Sequence, residues 1–425
     1  MSILLKSITV VDLNSKYNSK NVNILINKNG IIDKISLSKI NVKNSSTKVI
    51  DCKGKMVSPG WFDFRSNFCD PGFEHKEDLI SGSNLASSSG FTDILLMPNT
   101  NPVLQSKNDI YYIKNKTENN LSTIHPTAAI TRNTEGNELN EILDLNEAGA
   151  VAFTDGEKEL QNSDMMYKAL LYIKQFDGLL INKPKDFSLS RLGIVNEGHN
   201  STISGLKGIP NIAEEIMLNR DLSILKYSGG KLHFSGISTK SSVDIIRKAK
   251  EEGLNVTCDV SIYNLLLDDS HITNFDTNYK LDPPLRTKGD IDALIKGLED
   301  GTIDVISSYH QPQNIENKSV EFNNAENGMI SLQTFFSNIL ILSSKISLES
   351  LITKFTSNPR KILNIEDRSI KVGSNASMTI FDSNGSWDYT LDNNISKSFN
   401  SPWLNWSLKG KVFGVINSKK SKFNY

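Results

Sequence analysis

Apolar and polar positions alternate in short runs near both ends of the chain. At the N-terminus these runs are Leu4–Asp12, Val22–Ile26, Ile31–Ile35 and Lys48–Asp51. Asn29-Gly30 and Lys53-Gly54 separate them as turns, so the pattern predicts short β-strands. Ser377–Asp382 and Gly410–Ile416 carry the same pattern near the other end. Two β-rich ends around a long middle predict one small β-sandwich-like domain, built from residues 1–57 and 366–425.

Between them, strand-like and helix-like segments take turns. The expected strands are Met56–Arg65, Phe91–Met97, Ser122–Ile130, Ala150–Asp155, Gly178–Lys183, Lys231–Ser238, Asn255–Ser261 and Thr302–Ser308. Helical periodicity fills the gaps at Ile212–Leu225, Ser238–Glu252 and Asp290–Leu298. In Ser238–Glu252, Ser and Thr stand at the start, then Val243, Ile245, Ile246 and Ala249 share one face. Eight such units predict an α/β fold, a TIM (β/α)8 barrel over residues 58–365. In that fold, chemistry sits where the strands end.

Composition narrows the function classes. The chain has 425 residues, a formal charge of −1 and 38% hydrophobic residues. That balance argues against a nucleic-acid surface. No run approaches the roughly 20 apolar residues of a membrane span, and the N-terminus turns polar too soon for a signal peptide. Cys52, Cys69 and Cys258 are far apart, which fits a reducing, cytoplasmic setting.

The stretch Pro59–Gly72, PGWFDFRSNFCDPG, ends its strand-like run in Arg65-Ser66-Asn67. Further segments stand out: PGFEHKED (Pro71–Asp78), GFTDILLMPNTNP (Gly90–Pro102), NEG (Asn196–Gly198) and GIPNIAEE (Gly208–Glu215). STKSSVDIIRKAK (Ser238–Lys250), DPPLR (Asp282–Arg286), GTIDVISS (Gly301–Ser308), TSNPRKIL (Thr356–Leu363) and KSFNSPW (Lys397–Trp403) follow. Through these motifs together the chain resembles the dihydroorotases of the amidohydrolase superfamily.

That resemblance implies a barrel mouth holding one or two zinc ions, with an Asp on strand eight as general acid/base. Each family position falls on a definite residue here. The strand-one His-x-His falls on Arg65 and Asn67, and the Arg after it on Cys69. The strand-four acid falls near Asp155. The strand-five His falls on Lys183, and the strand-six His on Gly236. The strand-eight Asp falls on Tyr309, and the last His of its motif on Gln313. Substrate-side positions correspond to Asn99, Asp282, Arg286 and Gly328. Asn99 reads equally well as a turn residue, and Arg286 as a salt-bridge partner.

Of these ligand positions, only Asp155 keeps a carboxylate. Zinc needs three or four N, O or S donors, whereas Arg65 carries a permanent positive charge and Gly236 has no side chain. No zinc and no family chemistry are therefore expected. His75, His125, His199, His233, His271 and His310 read as loop or packing residues rather than a relocated metal site. The resemblance implies a non-catalytic partner of aspartate carbamoyltransferase, in a homo- or hetero-oligomer. Two alternatives stay open. One is metal-independent cyclic-amide hydrolysis, with Lys183, Arg65, Tyr309 and Asp155 converging in the mouth. The other is a working dihydroorotase.

Overall fold

The computed structural model describes residues 2–41 and 47–424. Met1, residues 42–46 and Tyr425 of the two terminal ranges lie outside them. Five strands open the chain: β1 (Ser2–Val10), β2 (Asn21–Ile26), β3 (Ile32–Ser36), β4 (Thr47–Asp51) and β5 (Met56–Pro59). Their inward side chains include Leu5, Ile8, Val10, Val22, Ile24 and Val57, all buried in one apolar cluster. The same cluster takes Met378, Ile380 and Ile416 from the far end of the chain.

Barrel strands follow. They are β6 (Trp61–Ser66), β7 (Phe91–Leu96), β8 (Thr123–Ala128), β9 (Ala152–Phe153) and β10 (Leu180–Asn182). A short parallel pair, β11 (Val195–Asn196) and β12 (Gly208–Ile209), lies outside the barrel. The barrel resumes with β13 (Leu232–Phe234), β14 (Val256–Ser261) and β15 (Val305–Ser307). The C-terminal strands are β16 (Ser377–Tyr389), β17 (Trp406–Asn417) and β18 (Lys420–Phe423).

The terminal sheet runs β18-β17-β16-β5-β1-β2-β3, with β4 parallel to β1. The two ends join where β5 pairs antiparallel with β16, Ser58 opposite Thr379. The strand expected over residues 56–65 is thus two strands in two sheets. Gly60 makes the change possible. A Cβ there would fall 2.2 Å from Thr92 Oγ1 and 2.5 Å from Ser377 Oγ, so only glycine lets the backbone pass.

The expected barrel is present as parallel strands in the order β15-β14-β13-β10-β9-β8-β7-β6. Every residue of β6 and β7 is buried, as in parallel strands covered on both faces. Closure between β15 and β6 is narrow. Ser66 bridges His310, and the Asn67 amide donates to the His310 carbonyl at 2.9 Å. Asp63 completes it by accepting from the Ser308 amide and hydroxyl, both at 2.7 Å. Burial pushes the Asp63 carboxyl up to about 6, against the pull of its Ser66 and Ser308 hydrogen bonds.

Helices cover the outside. Those used below are α1 (Leu79–Ser88), α2 (Lys240–Glu251) and α3 (Phe335–Leu342). In α2, Thr239 caps the first turn through Ser242 N at 3.1 Å, and Val243, Ile246 and Ala249 face the barrel core. Strands β9 and β10 are shorter than expected, which leaves Asp155 and Lys183 in the loops that follow them.

Candidate functional site

Arg65 is the penultimate residue of β6, and its side chain is 3% exposed. Its Nη1 donates to Ser235 Oγ at 3.1 Å. Its Nη2 donates to the Gly156 carbonyl at 3.2 Å and to Glu157 Oε1 at 2.9 Å. The guanidinium also lies 4.9 Å from the Tyr309 ring centroid, a cation–π distance. Burial opposes its charge, and Glu157, Tyr309 and Asp259 together more than offset that effect.

Glu157 is the centre of the mouth. Besides Arg65, it accepts from Asn67 Nδ2 at 3.0 Å and faces Lys183 Nζ at 4.0 Å. Burial raises its pKa, but Arg65 and Lys183 together hold it below the ordinary carboxylate range. Asn99 fixes the turn that carries it. Asn99 Oδ1 accepts from Glu157 N at 2.9 Å, and Nδ2 donates to the Asp155 carbonyl at 3.0 Å. Gly156 leaves room, since a Cβ there would sit 1.8 Å from Asn99 Oδ1.

Asp155 stands apart from this cluster. Its carboxylate accepts from Thr131 N at 3.0 Å and Thr131 Oγ1 at 2.6 Å. Burial raises its pKa against those two bonds. Lys183, 4% exposed in its side chain, donates to Asp282 Oδ2. Lys185 donates to the same oxygen at 2.7 Å and pairs with Glu159 at 2.8 Å. The mouth therefore alternates charge: Arg65, Glu157, Lys183, Asp282, Lys185, Glu159. Three cations meet three carboxylates.

A second, deeper group lies beneath. Asp259 accepts from Tyr309 OH at 2.7 Å, Ser235 Oγ at 3.0 Å and Gly236 N at 2.8 Å. His233 Nε2 approaches the same carboxylate at 3.1 Å. Burial works against the ionised Asp259, and His233, Tyr309 and Arg65 together outweigh burial to hold its pKa low. The Tyr309 hydroxyl is raised well above its ordinary range, first by burial and then by Asp259. Gly236 has φ +79°, and a Cβ there would lie 2.6 Å from Tyr309 OH. Tyrosine thus fills the space beside a glycine that could not easily be anything else.

Residues 54–242 match the family described as Dihydro-orotase-like. The chain is similar to a dihydroorotase of Acetivibrio thermocellus, 38% identical, with 97% of each chain covered. It is similar to one of Ruminiclostridium cellulolyticum at 39% identity, covering 97% of this chain and 96% of the relative. The chain belongs to the dihydroorotase family. The fold is shared more widely. An L-hydantoinase (dihydropyrimidinase) from Arthrobacter aurescens superposes with a TM-score of 0.87 at 20% identity, covering 100% of this chain and 97% of the other. A dihydropyrimidinase from Brevibacillus agri NCHU1002 gives 0.83 at 19%, covering 99% and 95%.

Within this dihydroorotase-family barrel, the other expected positions are tied to the scaffold. Arg286 Nη1 donates to Asn196 Oδ1, the Ile209 carbonyl and Asn211 Oδ1 within 2.9 Å, while Nε reaches Ser238 Oγ at 3.0 Å. It joins the NEG, IPN and STK motifs. Gly328 has φ +134° and donates its amide to the Lys280 carbonyl at 3.1 Å. Gln313 bridges Lys76 Nζ and the Asn327 carbonyl, both at 2.8 Å. Cys69 is buried, which pushes its thiol up to about 12.

Three residues central to the mouth carry no motif signal: Glu157, Ser235 and Asp259. Charge counting would have pointed to the first. Buried lysines and arginines come paired, so Arg65 and Lys183 required carboxylates nearby. Among the described residues, no three His, Cys, Asp or Glu side chains are grouped to hold a metal ion. None of their helices is long and apolar enough to cross a membrane.

Proposed function

We propose that this member of the dihydroorotase family is non-catalytic and serves pyrimidine biosynthesis as a cytoplasmic assembly partner of aspartate carbamoyltransferase. The carrying observation is the Arg65 guanidinium, bound by Ser235, Gly156 and Glu157; the resemblance matches this residue to the family's first His-x-His ligand. The residues at the ligand positions do not fit zinc. Arg65 and Lys183 are cations, Gly236 offers no donor, and Asp155 is spent on Thr131. Tyr309 cannot replace a carboxylate as proton shuttle while its hydroxyl is bound to Asp259. The partner rests on the resemblance to non-catalytic dihydroorotase-like chains.

A second reading is hydrolysis of a cyclic amide, favoured by the name dihydroorotase borne by the relatives. Within it, Lys183 would be the metal-independent nucleophile. That role needs an amine free to attack, whereas Lys183 Nζ is engaged by Asp282 Oδ2 and faces Glu157 at 4.0 Å.

One preparation tests both readings. The protein is purified after growth with zinc, then assayed for metal content and for dihydroorotate turnover in both directions. The proposal expects well under one zinc per chain and no turnover. It also expects co-elution with the same organism's transferase in size-exclusion chromatography at micromolar concentration. Turnover would overturn the non-catalytic reading, and separate elution with unchanged transferase activity would overturn the partnership.

A further inference from the structure

A cleft of about 350 Å³ lies where β16 and β17 lean over α1 and α3. It is separate from the barrel mouth and shares no residue with it. That volume falls within the range of small-molecule sites, about 300–1,000 Å³.

Two aromatic walls line it, both held in place. Phe336 on α3 is backed by Trp61, 5.1 Å away, and by Phe381, 4.9 Å away between centroids. Trp387 on β16 donates its Nε1 to the Gly410 carbonyl at 2.9 Å and packs 5.6 Å from Tyr389. Gly410 sits at φ +90°, and a Cβ there would strike Leu340 at 2.3 Å. The glycine thus lets β17 press against α3 and aim its carbonyl at the indole.

The polar groups point to a ligand. Ser89, just past α1, is 4% exposed, lines the cleft and has no hydrogen-bond partner for its hydroxyl. A buried hydroxyl without a partner is costly unless something binds it. Gln333 holds the rim through the Asn393 carbonyl at 2.7 Å and the Ile395 amide at 3.0 Å. Lys411 lines one edge and has no ion pair among the described residues. Lys422 reaches the neighbouring Ser88 hydroxyl at 2.6 Å. No described Asp or Glu lines the cleft. Lys411 is thus the one charged side chain in the lining, with Asp382 opposite it in the β16–β17 pair outside the cleft.

We propose that this cleft binds a small planar aromatic or heteroaromatic acid. The ring lies against Phe336 and Trp387, the Ser89 hydroxyl bonds a polar ring substituent, and Lys411 attracts the acid group. The walls are fixed by hydrogen bonds and packing before any ligand arrives, so little ordering opposes binding.

The probe is 1-naphthoate, titrated into the full-length protein by calorimetry at low salt, with 1-naphthalenemethanol as the neutral comparator. The proposal expects one site of micromolar affinity and about tenfold weaker binding of the alcohol. Lys411→Gln, at an exposed position opposite Asp382, weakens naphthoate about tenfold and leaves the alcohol nearly unchanged. Trp387→Leu weakens both by about tenfold or more. Naphthoate binding that ignores both substitutions overturns the proposal, as does the absence of heat up to about 5 mM ligand.

Discussion

Arg65 lays its guanidinium against the ring of Tyr309, 4.9 Å from the centroid. By the sequence resemblance, one falls on the family's first ligand position and the other on its acid/base position. A cation and an aromatic face now meet across the closing seam of the barrel, from β6 to the residues after β15. The pair makes the mouth a packed ionic core, and several measurable outcomes follow from its parts.

Removing the cation should unbalance the mouth. Arg65→Met leaves Glu157 facing only Lys183 at 4.0 Å, with Asn67 as its hydrogen-bond donor. The expected loss is about 2–4 kcal/mol of unfolding free energy, read from urea denaturation. Adding Glu157→Gln should return part of that loss. A double variant whose loss equals the sum of the single losses would show that the two side chains are not coupled.

Introducing histidines at some of these positions should fail to create a zinc site. Arg65→His with Asn67→His supplies at most two ligands and leaves Lys183 in place. Metal analysis after dialysis should still give far less than one zinc per chain. Adding Gly236→His should lower stability by about 1–3 kcal/mol, because φ +79° and the Tyr309 hydroxyl 2.6 Å from a Cβ both oppose it. Tyr309→Asp should relieve the steric part of that cost.

Asp63 should give stability a pH dependence. Its folded pKa of about 6 lies above the ordinary aspartate value, so the folded state binds the proton more tightly than the unfolded state. The favourable contribution is full below pH about 4 and is lost as pH rises to about 6. Asp221 behaves alike, its carboxyl raised by burial to about 6 despite Arg220. Urea midpoints across that window should therefore fall less steeply with pH for Asp63→Asn than for the parent. Parallel slopes would remove Asp63 from this role.

Asn99 should matter for the turn rather than for a ligand. Asn99→Ala loses the bonds to Glu157 N and the Asp155 carbonyl, each about 1 kcal/mol, and opens space beside Gly156. Stability should fall by about 1–3 kcal/mol. Asn99→Asp keeps the acceptor for Glu157 N and should cost less on that bond, while its charge repels Glu157.

The barrel was legible because its strands are apolar throughout and punctuated by amphipathic helices such as α2. The break at Gly60 was not, since an apolar run gives no sign of a change of sheet; only the glycine marks it. At the mouth, motif matching singled out Arg65, Lys183 and Tyr309, and the structure sets Arg65 against Tyr309 and both cations around Glu157. The matching could not find Glu157, which follows the matched Asp155-Gly156 by one residue and turns inward where Asp155 turns toward Thr131. Nor could it foresee that Asp282 would sit between two lysines, because those contacts join loops about 100 residues apart in the chain.

The pairing of β5 with β16 sets an order of events during synthesis. Pro59 ends β5 and Ser377 begins β16, so more than 300 residues separate partners in adjacent strands. At about 5–20 residues per second, the ribosome takes roughly a quarter of a minute to a minute to bridge that interval. Throughout it, β5 presents one unpaired edge while the whole barrel emerges. The N-terminal strands therefore keep an open edge until residues 377–423 arrive to complete their sheet.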